Sequence, residues 1–406
     1  MENKSMFLIV QHCFAIYRLP IFQRLLAGHA GMKGRLLFGL NPAHDNVKTF
    51  NTVEEIPPFE GVNSSQYVLL KNHWLIGPVL WQCGVLKEVL RREVKVVVLE
   101  GSPYILSNWA AMILLRLFTR KRILIWTMGI TTLPHGLKGW LTRLFWRLPH
   151  GMLLYGHWAR KNLIEKFGYS PDNLYVIFNS LDFDRQLKLR QALNQDILTQ
   201  QRRQLFGERW KSPILLHIGR LNHDKKLEFL IMAVDILRKR GVSVNVLFVG
   251  PGDAVEKLQY QVQESDLGRQ VNFYGVCYDE NMTARLIACA DVGVTPSALG
   301  LTAMHCLVYG IPVITHDFVE DQAPESESII PGLTGALFRY DDVDSLADTI
   351  QSWLEAAHDR EAVRRACYEM IEKYYNPDTQ VKIFQAALEG RPAGECLLGE
   401  GPYVVR

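Results

Sequence analysis

Long apolar runs and paired cysteines are missing from this sequence, and no secretion signal is expected. No stretch of about 18 uninterrupted apolar residues occurs, so no transmembrane helix is expected. Gln11, His12 and Arg18 interrupt the apolar N-terminal stretch, which favours a first buried strand at residues 6–10 over a signal peptide. The seven cysteines form no CxxC pair and no metal-ligand spacing. These absences predict a cytoplasmic protein with reduced thiols and no metal site.

Acidic residues are absent from Gly101 to Ile164, although this segment contains nine Lys or Arg and five Trp. Residues 137–148 (LKGWLTRLFWRL) place an apolar stripe at helical spacing, with the basic residues outside it. The pattern favours a helix lying on an anionic membrane surface, with a core helix of the first domain as the alternative. Nucleic acid is disfavoured, because the aromatic residues form a stripe and the net charge is only +3. The stripe consists of Leu137, Trp140, Leu141, Leu144, Phe145 and Leu148, and the basic residues are Lys138, Arg143 and Arg147.

Short apolar runs alternate with amphipathic helices along the chain. Runs such as VKVVVLE and VNVLFVG are typical of parallel strands that are covered on both faces. Between the two halves, residues 184–212 are polar and helical, with no strand. The 406 residues suffice for two or three domains. We therefore expect an α/β protein with Rossmann-like domains at residues 1–195 and 196–370. A C-terminal helix and tail, residues 371–406, should pack back on the first domain.

The loop after the first strand of the second half, HIGRLNHDKK, carries Arg220 and Lys225 five residues apart. Two fixed positive charges beside a helix N-terminus suit a diphosphate, and a basic solvated turn is the alternative. Acidic triplets at residues 182–184 and 342–344 raise the question of a metal-bound diphosphate. The first triplet lies where the two halves join, and the second lies at a helix start. These positions favour turn and capping roles, and we expect no metal requirement.

Six segments of the second half occur in one order and spacing: IGRLNHDKK, FVGPGD, VNFYGVCYDE, ADVGVTPS, GLTAMHCLVYGIPVI and PGLTGALF. Together they resemble the donor half of the retaining GT-B glycosyltransferases of family 4, over roughly residues 211–345. The resemblance implies a GT-B fold, in which two doubly wound domains face each other across a cleft and C-terminal helices cross back. It also implies a UDP- or GDP-sugar as donor substrate, with no further cofactor.

The same resemblance implies donor-binding roles for three loops. Gly219, Arg220 and Lys225 match the positions at the donor diphosphate, where Arg220 and Lys225 would stabilise the leaving group. Main-chain amides at the start of the following short helix would cap the distal phosphate and contact the sugar. A third loop would hold the base. The residues at these positions are Gly300, Leu301 and Thr302 for the distal phosphate, and Tyr274, Val276 and Tyr278 for the base.

The family's usual pair of glutamates, with seven residues between them, is absent. By register from Gly310, the two positions hold Ser297 and His305. A neutral imidazole would exchange hydrogen bonds with ribose hydroxyls, and a protonated one would contact phosphate. A packed histidine without a ligand is the alternative. Glu325 and Glu327 are candidate substitutes near the sugar, with surface acids in a loop as the alternative.

The first domain is expected to bind the acceptor. His12 and Arg18 are its candidate contacts, and a helix start at Pro20 is the alternative explanation. The basic aromatic helix suggests a saccharide acceptor carried on a lipid, at the inner face of the plasma membrane. By resemblance, the setting is bacterial surface-polysaccharide synthesis. A nucleotide-sugar epimerase of the same fold and a non-enzymatic, two-lobed nucleotide-sugar binding protein are the competing functions.

Overall fold

A computed structural model describes residues 5–28, 31–40, 48–129, 136–356 and 359–396. The chain divides into two structural units. The first contains the residues up to Asp182 together with the segment that begins at Asn376, and the second is Phe183–Tyr375. The end of the predicted C-terminal tail, residues 397–406, lies outside the described residues.

The first unit is built on a sheet of seven parallel strands in the order β11-β10-β9-β8-β1-β3-β5. Two short antiparallel ladders, β2–β4 and β6–β7, stand outside this sheet. The strands are β1 (Met6–Gln11), β2 (Phe14–Ala15), β3 (Lys33–Phe38), β4 (Thr49–Phe50), β5 (Tyr67–Leu69), β6 (Lys71–Trp74), β7 (Leu80–Cys83), β8 (Val94–Glu100), β9 (Arg122–Thr127), β10 (Gly151–Leu154) and β11 (Leu174–Val176). The helices are α1 (Leu19–Leu26), α2 (Val85–Val89), α3 (Leu106–Phe118), α4 (Gly136–Arg147) and α5 (His157–Phe167).

The second unit opens with two helices in the polar stretch, as predicted, and continues with six parallel strands. Their order is β14-β13-β12-β15-β16-β17. The strands are β12 (Ile214–Ile218), β13 (Asn245–Val249), β14 (Val271–Gly275), β15 (Val292–Val294), β16 (Val313–His316) and β17 (Gly335–Phe338). The helices are α6 (Phe183–Gln191), α7 (Gln195–Phe206), α8 (Leu227–Lys239), α9 (Val255–Glu264), α10 (Glu280–Ala288), α11 (Thr302–Leu307), α12 (Val343–Glu355) and α13 (Arg360–Lys373).

The last helix, α14 (Pro377–Glu389), returns to the first unit. The side chain of Asn376 caps it by accepting a hydrogen bond from the amide of Thr379, and Pro377 occupies the first helical position, where no amide is needed. Its fully buried Phe384 packs against Trp126 of β9, with 5.7 Å between the ring centroids. The helix therefore completes the core of the first unit.

Both sheets have the doubly wound α/β arrangement that the sequence predicts. Apolar runs such as β8 and β13 are buried because helices cover parallel strands on both faces. In each sheet the chain adds strands on one side and then returns to the other side of its first strand. The order therefore reverses between β1 and β8 and between β12 and β15. Ligands of such sheets bind beyond the carboxyl ends of the strands at these switch points.

Candidate functional site

The donor-side candidates gather at the switch point of the second sheet. Gly219 and Arg220 directly follow β12, and residues 295–301 connect β15 to α11. The hydroxyl of Thr302, at the start of α11, donates a hydrogen bond of 2.8 Å to the carbonyl of Ile218 at the end of β12. The structure thus joins two loops that the sequence places far apart.

Main-chain atoms pack closely behind the Arg220 loop. The amide of Gly250 donates to the carbonyl of Gly275 at 2.9 Å, which ties the end of β13 to the end of β14. A Cβ added at Gly250 would overlap the carbonyl oxygen of Gly219, and one added at Gly252 would overlap that of Leu221. Gly250 also has a φ of +137°, where a side chain is strained. The GPG turn therefore supports the loop that carries Arg220.

The two predicted cations differ in exposure. Arg220 is exposed, and within the described part of the chain its guanidinium makes no ion pair. Lys225 is 21% exposed, and its Nζ lies 3.8 Å from the carboxylate of the adjacent Asp224. The next residue, Lys226, is instead paired with Asp341 at 2.7 Å. Positive charge is thus available at Arg220 and Lys225, whereas Lys226 is neutralised.

His217, which the sequence analysis missed, lies buried in β12 beneath this loop. Its Nδ1 is 3.1 Å from the carbonyl of Val294, so this nitrogen carries the proton and donates it. Burial, with a smaller contribution from the nearby Lys225, lowers the pKa of His217 to about 4. The imidazole is therefore neutral near pH 7 and adds no charge to the site. A histidine inside the apolar run ILLHI was the available sequence signal.

Gln322, also missed, holds the loop that precedes α11. Its amide oxygen accepts a hydrogen bond from the Leu299 amide at 2.9 Å. Its amide nitrogen donates to the Thr315 hydroxyl and to the His316 carbonyl, both at 2.9 Å. The amides of residues 300–302 make no hydrogen bond to any other described residue. Gln322 thus fixes the segment that presents these free donors.

The positions of the two missing glutamates have different surroundings. Ser297 is 4% exposed, and its hydroxyl has no hydrogen-bond partner among the described residues. His305 lies on α11, and burial lowers its pKa to about 4. Its imidazole is therefore neutral near pH 7. This favours the exchange of hydrogen bonds with hydroxyl groups over a contact between a protonated ring and phosphate.

Glu325 and Glu327 are not surface acids, so that alternative is wrong. They are 6% and 7% exposed and lie in a short turn, Pro324–Ser328, that packs against α11. Burial, followed by the charges of Glu327 and Glu325, raises the pKa of Tyr375 well above its usual value. Both carboxylates therefore lie close to that phenol.

The three candidates for base binding project from the end of β14. Tyr274 is 37% exposed, Val276 is 46% exposed and Tyr278 is 71% exposed. Gly275, between the first two, has a φ of +84°, a conformation that favours glycine. Core packing therefore does not explain the presence of Tyr278 in this loop.

At the switch point of the first sheet, His12 meets Glu100, a residue that the sequence analysis did not single out. The imidazole Nδ1 lies 2.7 Å from the carboxylate, which also accepts the His12 amide at 2.9 Å. The Sγ of Cys13 is 3.3 Å from the other ring nitrogen. Burial alone would lower the pKa of His12, but the hydrogen bonds to Cys13 and Glu100 raise it to about 10. His12 is therefore cationic near pH 7.

Arg18 is held by neutral groups. Its guanidinium donates hydrogen bonds to the Gln11 side chain at 2.6 Å and to the Tyr155 hydroxyl at 2.5 Å. It also donates to Tyr17 at 3.0 Å and lies 5.2 Å from the ring centroid of Trp126. The charge of Glu100 favours the cationic forms of both Arg18 and His12. The structure thus brings the two acceptor candidates into one cluster.

The apolar stripe of residues 137–148 is divided between core and surface. Phe145 is fully buried on α4 and lies 5.0 Å from Trp109 of α3, between ring centroids. Four stripe residues remain exposed, so core packing does not account for them. No helix in the described ranges has the length and apolar composition needed to cross a bilayer. The exposed residues are Leu137 at 73%, Trp140 at 59%, Leu141 at 40% and Leu144 at 39%.

The acidic triplet at residues 342–344 has the capping role predicted for it. The Asp342 carboxylate accepts a hydrogen bond from the Ser345 amide at 2.8 Å, at the start of α12. In the other triplet, Asp184 lies in the first turn of α6. Within the ranges that the structure describes, no three His, Cys, Asp or Glu side chains are grouped so that they could hold a metal ion.

Similar solved structures extend over nearly the whole chain. HepE of Anabaena, in complex with UDP, covers 95% of this chain and 99% of its own, with a TM-score of 0.69 and 17% identity. A glycosyltransferase of Rickettsia africae covers 98% and 100%, with a TM-score of 0.69 and 15% identity. At these identities the likeness shows the fold, which is GT-B.

Curated relatives match a smaller part of the chain. The sulfoquinovosyl transferase SQD2 of Arabidopsis thaliana is 28% identical over 169 residues, 40% of this chain and 31% of the relative. A GDP-mannose-dependent phosphatidylinositol dimannoside mannosyltransferase of Mycobacterium tuberculosis is 29% identical over 113 residues, 26% of this chain and 29% of the relative. The match spans about a third of the length of each relative.

Residues 199–370 match the family model of the group 1 glycosyl transferases. This range contains β12 to β17 and thus the whole switch point at which Arg220, Lys225 and the free amides lie. The chain therefore has the GT-B fold, and its residues 199–370 are similar to the group 1 glycosyl transferases.

Proposed function

We propose that this chain is a retaining glycosyltransferase of family 4. It moves a sugar from a UDP- or GDP-sugar to a saccharide acceptor carried on a lipid, in bacterial surface-polysaccharide synthesis. The observation that carries the proposal is the pair of available cations, Arg220 and Lys225, at the switch point of a domain similar to the group 1 glycosyl transferases. HepE, which shares the fold, binds UDP.

Arg220 and Lys225 supply the main catalytic effect. As the bond between the sugar C1 and the phosphate oxygen breaks, negative charge grows on the nucleoside diphosphate. Preorganised positive charge stabilises that state more than the ground state and lowers the barrier. The amides of Gly300, Leu301 and Thr302 add donors to the distal phosphate. The acceptor oxygen bonds to C1 from the same face, its proton passes to the departing phosphate oxygen, and no protein nucleophile is required.

Uncharged or buried groups replace the usual acids in recognition of the nucleotide sugar. The neutral His305 imidazole accepts one hydrogen bond and donates another to ribose hydroxyls. The hydroxyl of Ser297, buried and without a described partner, contacts the sugar. Glu325 and Glu327, in the turn against α11, supply the carboxylates that Ser297 and His305 lack. Tyr274 and Tyr278 offer exposed aromatic faces to the base.

The first unit binds the acceptor, with His12 and Arg18 near its saccharide or phosphate. The exposed face of α4 rests on anionic lipid, which suits an acceptor that is anchored in the membrane. The protein then works in the cytoplasm at the inner face of the plasma membrane. The transfer needs no metal ion, so EDTA should leave activity unchanged, and a loss that Mg²⁺ or Mn²⁺ restores would contradict this.

A thermal-shift screen of UDP, GDP and their sugar conjugates tests the donor site. A ligand at about a hundredfold excess over Kd stabilises the folded state by about 2.7 kcal/mol, which is readily detected as a higher Tm. A lipid-linked acceptor mixture then reveals transfer, and the anomeric configuration of the product by NMR reveals retention. Donor alone should stay intact, since its rearrangement would indicate an epimerase. Nucleotide bound far from Arg220 in a crystal would overturn the assignment.

A further inference from the structure

The tip of the β6–β7 hairpin exposes three consecutive apolar residues. Trp74 is 37% exposed, Leu75 is 57% exposed and Ile76 is 83% exposed. The turn is ordered by hydrogen bonds from the Leu75 amide to the Val79 carbonyl at 2.9 Å and from the Val79 amide to the Ile76 carbonyl at 3.1 Å. The backbone of the turn therefore holds the Ile76 side chain in solvent. Transfer of this apolar side chain out of water would be favourable.

The hairpin and the first turns of α3 and α4 meet around Tyr104. Trp74 pairs with Leu80 across the ladder, and the Leu80 amide donates to the Tyr104 carbonyl at 3.0 Å. Leu106 begins α3 two residues later, and Nζ of Lys138 on α4 lies 5.5 Å from the centroid of the Tyr104 ring. We name the exposed apolar residues of these three elements the hairpin surface: Trp74, Leu75, Ile76, Leu106, Leu137 and Trp140.

The segments that form the hairpin surface carry charge of one sign. Residues 61–87 and 101–164, which contain all three elements, include no Asp or Glu. In the described part of these segments, Lys138, Arg143 and Arg147 form no ion pair with a carboxylate. Apolar side chains bordered by unpaired cations suit the interface of an anionic bilayer, where the chains enter the acyl boundary and the cations meet phosphate.

We propose that the hairpin surface inserts into an anionic membrane and that the tip, Leu75 and Ile76, is its deepest part. This deepens the proposed function and rests on it for the nature of the acceptor. The ring of Trp74 lies edge-on to that of His12, with 6.4 Å between centroids. The inserted tip therefore lies beside the acceptor cluster. The lipid of the acceptor can then stay in the bilayer, and only the headgroup saccharide has to extend out of it to reach His12.

Flotation with vesicles of phosphatidylcholine, with and without phosphatidylglycerol, tests the proposal. The wild type should float with the anionic vesicles at low salt and much less at high salt. The double variant Leu75→Ser, Ile76→Ser should lower this partitioning at least tenfold. Leu333→Ser in the second unit, at a residue 52% exposed, is the matched control and should float as the wild type does.

Failure of the wild type to float, or equal flotation of the hairpin variant and the wild type, would overturn the proposal. Sedimentation of both proteins tests the alternative that a second copy of the chain covers the tip. A wild-type dimer that the variant converts to a monomer would show this and would contradict membrane insertion. UDP binding by thermal shift is measured on the same samples. Because it reports on the second unit alone, its loss would refute the donor site and leave the membrane test intact.

Discussion

Each unit places a histidine at the switch point of its sheet, and the two histidines have opposite charge states. The pKa of His12 is raised to about 10, whereas that of His217 is lowered to about 4. The hydrogen-bond partners explain the difference, because His12 bonds to Cys13 and to the carboxylate of Glu100, whereas His217 bonds to the carbonyl of Val294. A buried imidazole becomes cationic only where a charged partner offsets its desolvation.

The consequence for the two sites is also opposite. In the first unit, the charge of His12 is matched by Glu100, so the pair is neutral as a whole. In the second unit, the neutral His217 leaves Arg220 and Lys225 without a buried counter-ion among the described residues. The same topology thus places a buried carboxylate beside the cations of the first switch point and two cations in the loop at the second.

The largest expected effect comes from Gly250→Ala. The new Cβ would overlap the backbone of Gly219, whereas in the first unit a Cβ at Gly39 would meet the side chain of Asn72, which can move only by giving up its hydrogen bonds to the carbonyls of His12 and Leu40. We expect Gly250→Ala to destabilise the second unit by about 3 kcal/mol and Gly39→Ala to cost the first about 2 kcal/mol. Calorimetric unfolding measures both. Gly268→Ala, with open space around it, is the neutral control, and equal losses at Gly39 and Gly250 would refute the distinction.

Removing either cation tests which switch point holds the diphosphate. Arg220→Ala and Lys225→Ala should each lower the rate of transfer roughly 10²-fold or more, because charge on the leaving group loses its stabilisation. Steady-state kinetics with a saturating acceptor gives the rates. Arg238→Ala, which alters an exposed cation paired with Asp235 on α8, serves as the matched control. Wild-type rates in both site variants would exclude this position for the diphosphate.

A smaller effect is expected from Gln322, which holds the α11 loop through its side-chain amide. Gln322→Ala removes three hydrogen bonds, so the loop should reorganise and the KM for donor should rise about tenfold, with kcat changed less. Gln351→Ala, at an exposed glutamine on α12, should leave KM unchanged. A fall in kcat with constant KM would argue against a positioning role.

The smallest effect is on the pH dependence of stability. The folded-state pKa of His12 lies above its unfolded value of 6.5, so its pair stabilises the first unit below about pH 6.5. That contribution is lost as the pH rises toward 10. The folded-state pKa of His217 lies below 6.5, so the second unit loses stability as the pH falls from 6.5 toward 4.

Glu100→Gln tests the first half of this contrast. Without the carboxylate, the pKa of His12 should fall by roughly one unit or more. Titration of the imidazole by NMR follows the change directly, and the His217 signal in the same spectra is the internal control. An unchanged His12 titration would mean that Glu100 does not set its charge.

The strands were predictable because their apolar runs are local and long enough to be read directly. VKVVVLE and NVLFV both became buried parallel strands. The β6–β7 hairpin was missed, since KNHW and LWQC mix polar and apolar residues without a clear period. Glu100 was missed for a different reason, because its partner lies 88 residues away and only the strand order brings them together.

The candidate site was predictable only where a motif carried it. The spacing of Arg220 and Lys225 in one loop left a basic solvated turn as the alternative, and the resemblance to family 4 assigned both residues to the donor diphosphate. The support given by Gln322 depends on contacts to residues 6, 7 and 23 positions away, a combination that has no sequence signature. The burial of Glu325 and Glu327 could not be derived either, since a loop rich in Ser and Glu is usually exposed.

The return of α14 to the first unit has a consequence for synthesis on the ribosome. The fully buried Phe384, which packs on Trp126, is made only after the entire second unit has been translated. During translation, part of the core of the first unit therefore stays uncovered until α14 is made, whereas the second unit can already fold. A chain that terminates at Tyr375 would keep the second unit and expose the apolar surface on which α14 packs.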